Sequence, residues 1–127
     1  MSENKDIEVA WSEERLQQEC FRWFWNTYPQ YRGLLFHVPN GGTRNSREAA
    51  KLKTMGVVRG VSDFILLFDG TAYCIELKRP DGKGSQSKSQ KGWESTVRDN
   101  GFRYYVINSL KNFQGLVSIM VGSGFSL

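Results

Sequence analysis

Asp63, Glu76 and Lys78 are the residues whose types and spacing could do chemistry in this chain. They bracket the stretch GVSDFILLFDGTAYCIELK, residues 60–78, in which two short apolar runs meet at Asp69-Gly70. Asp-Gly between apolar runs is the signature of a β-hairpin with a two-residue turn. With Asp69 and Gly70 as that turn, Phe68 faces Thr71 and, counting back, Asp63 falls directly opposite Glu76. Side chains alternate faces along a strand, so Asp63, Glu76 and Lys78 share one face with Ile65, Leu67 and Cys74. Opposed carboxylates have Cβ atoms about 5 Å apart, and like charges so placed repel. A salt bridge from Lys78 compensates one acid and leaves the other; a divalent cation compensates both.

The elements that must position this set follow from the surrounding pattern. Ser12 reads as the N-cap of a first helix, with Glu13 and Glu14 in its first turn, where acids suit the helix dipole. Leu16, Cys20, Trp23 and Phe24 then recur at helical spacing until Tyr28-Pro29. Leu34–Val38 reads as a short strand, broken by Pro39-Asn40-Gly41-Gly42. Residues 44–55 carry helix formers, with Gly56 as a C-terminal cap. The PNGG loop followed by Arg44 and a basic helix could offer N–H groups and cations to a phosphate, or could be a turn before a surface helix. Both hairpin faces are largely apolar, which predicts central strands covered by helices on each side. Ser87-x-x-Gln90 matches a capping box for a helix to Asn100, and the capping role alone accounts for Gln90. Phe102–Ile107 is a strand, and strand–helix–strand order predicts a crossover onto the same sheet. Ser109 reads as a cap for a final helix that Gly115 weakens, with a loose tail from Gly122.

Composition bounds the partners. A chain of 127 residues fits one domain. Its two cysteines, Cys20 and Cys74, have no zinc-type spacing, and the one histidine, His37, argues against a His-rich metal centre. Oxygen ligands alone favour Mg²⁺ or Mn²⁺ over zinc. The apolar runs are too short to span a membrane, and the polar, acidic first ten residues show no secretory leader, which predicts a cytoplasmic protein. The net charge of +4 is unevenly spread: residues 1–31 hold six acids and three bases, and residues 32–127 hold seven acids and fourteen bases. The basic surplus lies in Arg44, Arg47, Lys51, Lys53 and Arg59 and again in Lys78, Arg79, Lys83, Lys88 and Lys91. It attracts polyanions such as nucleic acid, or serves only as a solvated surface.

The ordered set of motifs resembles the VRR-nuc family of the PD-(D/E)XK nuclease superfamily. The likeness runs through Glu13-x-x-x-Gln17 and Tyr28-Pro29, Pro39-Asn40-Gly41-Gly42-x-Arg44, Ala50-x-Leu52-Lys53-x-x-Gly56-Val57, Gly60-x-x-Asp63, Ile75-Glu76-Leu77-Lys78-Arg79-Pro80, Gln90 and Gly101-Phe102 with Tyr104. Ser62 stands where the superfamily often has proline. The resemblance implies an α/β fold with the restriction-endonuclease-like αβββαβ core, a central mixed sheet flanked by helices. It implies a flexible arm over residues 1–11 and a single nuclease domain over 12–127. It also implies a metal-dependent endodeoxyribonuclease. Asp63, Glu76 and the main-chain carbonyl of Leu77 would bind Mg²⁺ (or Mn²⁺), with Glu13 completing the site directly or through water. Glu14 and Glu19 share that helix and leave the choice of helix ligand open. Lys78 would orient or deprotonate the attacking water, with Gln90 in support, while Asn40, Gly41, Gly42, Arg44, Lys53, Arg79 and Lys83 would hold DNA. Small stand-alone members resemble homodimeric Holliday-junction-resolving enzymes, which implies branched DNA as substrate. The rival readings are a less selective nickase or flap nuclease, and an inactive nucleic-acid-binding domain of the same fold.

Overall fold

A computed structural model describes residues 7–39 and 45–125. The expected ligands Asn40, Gly41, Gly42 and Arg44 lie outside those residues. Helix α1, Glu13–Thr27, starts where the Ser12 hydroxyl accepts the Arg15 N–H at 3.0 Å. Strand β1, Leu35–His37, follows a tight turn at Pro29–Tyr31. Helix α2, Ser46–Thr54, is capped by the Asn45 side chain, and Gly56 leaves it at φ 101°. Strands β2, Phe64–Phe68, and β3, Thr71–Leu77, form the hairpin. Helix α3, Lys88–Asp99, then crosses to strand β4, Arg103–Ile107, and helix α4, Leu110–Phe125, closes the chain.

The strands form one mixed sheet in the order β1-β2-β3-β4. β1 and β2 are antiparallel, β2 and β3 antiparallel, and β3 and β4 parallel. The hairpin register is the one that the Asp-Gly turn demands: Phe64 pairs with Ile75, Ile65 with Cys74 and Phe68 with Thr71. Asp69 and Gly70 take φ 52° and 77°, the positive pair that a tight turn of matching twist requires.

One sheet face carries the core. Leu16, Cys20 and Phe24 of α1 and Phe113, Val117 and Val121 of α4 are buried with Phe64, Leu66, Ile75, Leu77 and Ile107. Each large apolar side chain so buried contributes roughly 2 kcal/mol. The spacing of Phe113, Val117 and Val121 carries α4 through Gly115 and on to Phe125, so the loose tail expected from Gly122 is not found over Gly122–Phe125. Packing of an apolar face outweighs the glycine propensity there. Ser109 does cap this helix, its hydroxyl accepting the Asn112 N–H at 3.0 Å. Within the stretch expected as an arm, a helical turn at residues 7–9 leads to Trp11, which packs against the core, and the Glu8 carboxylate accepts the Leu110 N–H.

The opposite face also carries a helix, as expected, but is covered only in part. Its cross-strand rows run Leu34, Leu67, Ala72, Phe102; then Phe36, Ile65, Cys74, Tyr104; then Val38, Asp63, Glu76, Val106. Helix α3 covers the β4 end, where Trp93 lies 6.1 Å from the Tyr104 ring. Leu67 and Phe102, in the row farthest from the acids, stay 42 % and 43 % exposed. The other three of the four tryptophans are also engaged within the fold. Trp11 and Trp23 pack on the core, and the Arg32 guanidinium sits 4.8 Å over the Trp25 ring.

Gly60, at φ 83°, lets the segment before β2 touch the first turn of α3: a Cβ there would stand 2.2 Å from the Ser89 carbonyl oxygen. Gly33, at φ 97°, has open space around it. Gly60→Ala should therefore lower stability by about 2 kcal/mol or more, against about 1 kcal/mol for Gly33→Ala. Denaturant midpoints of the two variants check this; equal losses would show that α3 yields freely to the methyl group.

Candidate functional site

Asp63 lies one residue before β2 and Glu76 one residue before the end of β3. They lie just beyond the last ladder pair, Phe64 with Ile75, and two hydrogen bonds cross the open end of the hairpin there. The Asp63 N–H donates to Glu76 Oε1 at 3.1 Å, and the Leu77 N–H donates to Asp63 Oδ2 at 2.7 Å. The two carboxylates thus face each other with one oxygen each tied to the opposite strand. Glu76 is 1 % exposed, and its Oε2 is buried without a hydrogen-bond partner. Burial, and after it the charge of Asp63, pushes the Glu76 carboxyl up to about 8.

Lys78 brings the only side-chain cation recorded against this pair among the described residues. Its Nζ stands 3.6 Å from Glu76 Oε2, too far for a good hydrogen bond, and donates instead to Gln90 Oε1 at 2.9 Å. Gln90 Oε1 also accepts the Ser87 N–H at 2.8 Å, while the Ser87 hydroxyl accepts the Gln90 N–H. The capping box is present as the sequence predicts, but it is not the whole account of Gln90. One amide oxygen both closes the start of α3 and holds the Lys78 ammonium beside Glu76. The contact of Gly60 with Ser89 and Gln90 fixes the depth at which that turn sits.

Of the three acids on α1, the structure turns Glu13 toward the site. Burial holds its carboxyl above the usual range; the Lys78 charge opposes this, and the Asp63 charge adds to it. Glu19 is bound instead by Arg15 and Arg22 on its own helix. Glu13 does not stand within joint coordinating distance: among the described residues, no three His, Cys, Asp or Glu side chains are grouped closely enough to hold a metal ion. The residues fit a hard cation to this extent: two opposed carboxylates, one with a buried oxygen lacking a partner, and a third acid near enough to sense their charge. Arg79 is ion-paired with Asp81, whose other oxygen accepts the Lys83 N–H at 2.9 Å. Lys53 is exposed on α2. These three cations are therefore on the surface, and Arg79 already has a counter-charge.

Sequence reasoning gave His37 no part in the site. Its Nδ1 lies 2.7 Å from the Asp63 carbonyl oxygen, which also accepts the Val38 N–H at 3.0 Å. The missing signal was the β1–β2 register, which spans 26 residues and includes helix α2. A long connection of that kind carries no turn chemistry from which pairing can be counted.

The raised Glu76 carboxyl has a consequence for stability. A carboxyl near 4.5 in the unfolded chain and near 8 in the fold favours folding fully below pH 4.5 and loses that contribution as pH rises toward 8. Without divalent cations, Glu76→Gln should raise Tm at pH 8 by about 5 °C or more and leave it little changed at pH 4.5. Thermal melts at the two pH values check this, and equal changes at both would place the strain elsewhere.

No family model matches the sequence, and no curated protein matches it significantly. Among solved structures, a VRR_NUC domain protein superposes with a TM-score of 0.72 at 22 % identity, covering 89 % of this chain and 90 % of that one. The mixed four-stranded sheet and its flanking helices are thus set in a known frame: the chain has the fold of a VRR_NUC domain protein.

Proposed function

We propose that this protein is a metal-dependent nuclease that hydrolyses phosphodiester bonds in DNA. The observation that carries the reading is the buried, unpartnered Glu76 Oε2, set against Asp63 and beside Lys78. A core that needed only packing would not place two acids opposite each other on buried backbone. The name of the superposing VRR_NUC domain protein supports the same reading. A nucleic-acid-binding module without activity has no use for carboxylates that repel phosphate.

Asp63 and Glu76 would hold Mg²⁺ or Mn²⁺, with the Leu77 carbonyl as a further ligand and Glu13 joining through water. Bound there, the cation would supply an acidified water and a polarised phosphoryl oxygen. Lys78, held by Gln90, places an ammonium where negative charge grows on the phosphate, and its fixed position avoids reorganisation during the reaction. Lys53 and the other exposed cations would draw the backbone in. The finer reading is a homodimer acting on branched DNA of the Holliday-junction type. Leu67 and Phe102, the two exposed members of the row Leu34, Leu67, Ala72, Phe102, support a second copy, since a contact between copies would cover them.

With Mg²⁺ or Mn²⁺, the purified protein should cleave members of a panel of junction, flap and single-stranded DNAs. Asp63→Ala and Glu76→Ala should each slow cleavage at least about a hundredfold, with DNA binding kept or strengthened. Intact substrates in both metals would end the enzyme reading. Lys53→Ala should weaken binding and reduce the salt slope by about one; an unchanged slope would place α2 off the DNA path. Leu67→Glu should convert a dimer to monomer in light scattering, and a wild-type monomer at all concentrations would remove the second copy.

A further inference from the structure

We infer that His37 is a positioning residue for the cation site, holding the Asp63 main chain so that its carboxylate stays opposed to Glu76. This rests on the proposed reading of Asp63 and Glu76 as cation ligands. Asp63 sits just outside the β2–β3 ladder, at the end of the hairpin remote from its turn. Its own N–H is given to a side chain, Glu76 Oε1, rather than to a backbone carbonyl. Whenever both carboxylates are ionised, their repulsion acts to splay this end apart. What resists is the opposite side of the same residue: the Asp63 carbonyl is gripped twice from the end of β1 and the residue after it, by His37 Nδ1 at 2.7 Å and by the Val38 N–H at 3.0 Å.

A carbonyl oxygen only accepts, so Nδ1 must carry the proton, and the neutral ring is the Nδ1–H tautomer. The imidazole is further fixed edge-on to Phe64, with centroids 6.5 Å apart and planes at 84°. His37 is exposed, so its ring is not there to fill the core. The link runs from β1 through the Asp63 peptide to both oxygens that cross the hairpin. Outer partners of this type change metal affinity 10- to 100-fold when removed, although they never touch the ion.

The geometry distinguishes between two near-isosteres. Asparagine has its amide nitrogen where Nδ1 sits, and glutamine has its amide where Nε2 sits. Titrating the full chain with Mn²⁺, followed by the electron paramagnetic resonance of free Mn²⁺, should give His37→Asn an affinity within about threefold of wild type. His37→Gln and His37→Ala should bind about tenfold more weakly or worse, with melting temperatures close to wild type. ¹⁵N spectra of the metal-free protein should show the neutral ring as the Nδ1–H tautomer. An Nε2–H tautomer, or equal affinities for the Asn and Gln variants, would overturn the role of His37 while leaving the cation site standing. Failure of the wild type to bind Mn²⁺ would overturn both together.

Discussion

The opposition of Asp63 and Glu76 is the constraint on which the other features of the site depend. Two ionised carboxylates set against each other repel, and the more strongly the lower the local dielectric. The fold answers this with backbone donors rather than with distance: each acid has one oxygen bonded to the opposite strand's N–H. The remaining Glu76 oxygen is left with the Lys78 ammonium at 3.6 Å. The arrangement is set from far away. The Asp69-Gly70 turn lies six residues from Asp63, roughly 20 Å along the strand, and it alone fixes which residue meets which. A one-residue slip would bring Glu76 to the core face among the apolar Phe64, Leu66 and Phe113.

Lys78 is held by a device that normally serves only a helix. The capping box of α3 uses Gln90 to satisfy the Ser87 N–H, and the same oxygen receives the Lys78 ammonium. A long, flexible cation near a site is imprecise unless its end is fixed, because its rotamer freedom is large. Anchoring it to the first turn of α3 makes its position depend on how α3 docks. Docking in turn depends on Gly60, whose missing side chain admits the Ser89 carbonyl. The motif spacing from Gly60 to Gln90 therefore has one mechanical meaning: the glycine sets the helix, the helix sets the amide, and the amide sets the lysine.

Local features were legible in the sequence and distant ones were not. The hairpin register, the Ser12 and Ser87 caps and the order of elements all rest on chemistry within a few residues, and each appears as read. Glu13 could not be separated from Glu14 and Glu19 because helical spacing fixes only a face; the ion pairs of Glu19 with Arg15 and Arg22 depend on rotamers. The double role of Gln90 was hidden because a capping box is complete without a third partner. His37 was hidden because β1 reaches β2 only after a long excursion through α2. The final helix was underestimated where glycine propensity was weighed against an apolar spacing that packing decides.

The unequal covering of the two sheet faces follows from what the site requires. Glu76 must be dry enough for its carboxyl to be pushed up, which needs neighbours around its strand; β4 supplies Tyr104, and α3 supplies Trp93 against it. A second helix laid across the β1–β2 half would complete the burial of that face. Alternating strand residues would ordinarily answer an open face with polar side chains. Here Phe36, Ile65 and Leu67 keep it apolar up to Asp63, so that the acids stand at the edge of a low-dielectric surface rather than in water. Exposed Leu67 is thus the physical complement of the raised Glu76 carboxyl: the same half-covering that leaves Leu67 in solvent leaves Asp63 partly exposed beside a buried Glu76, and strengthens every charge placed against them.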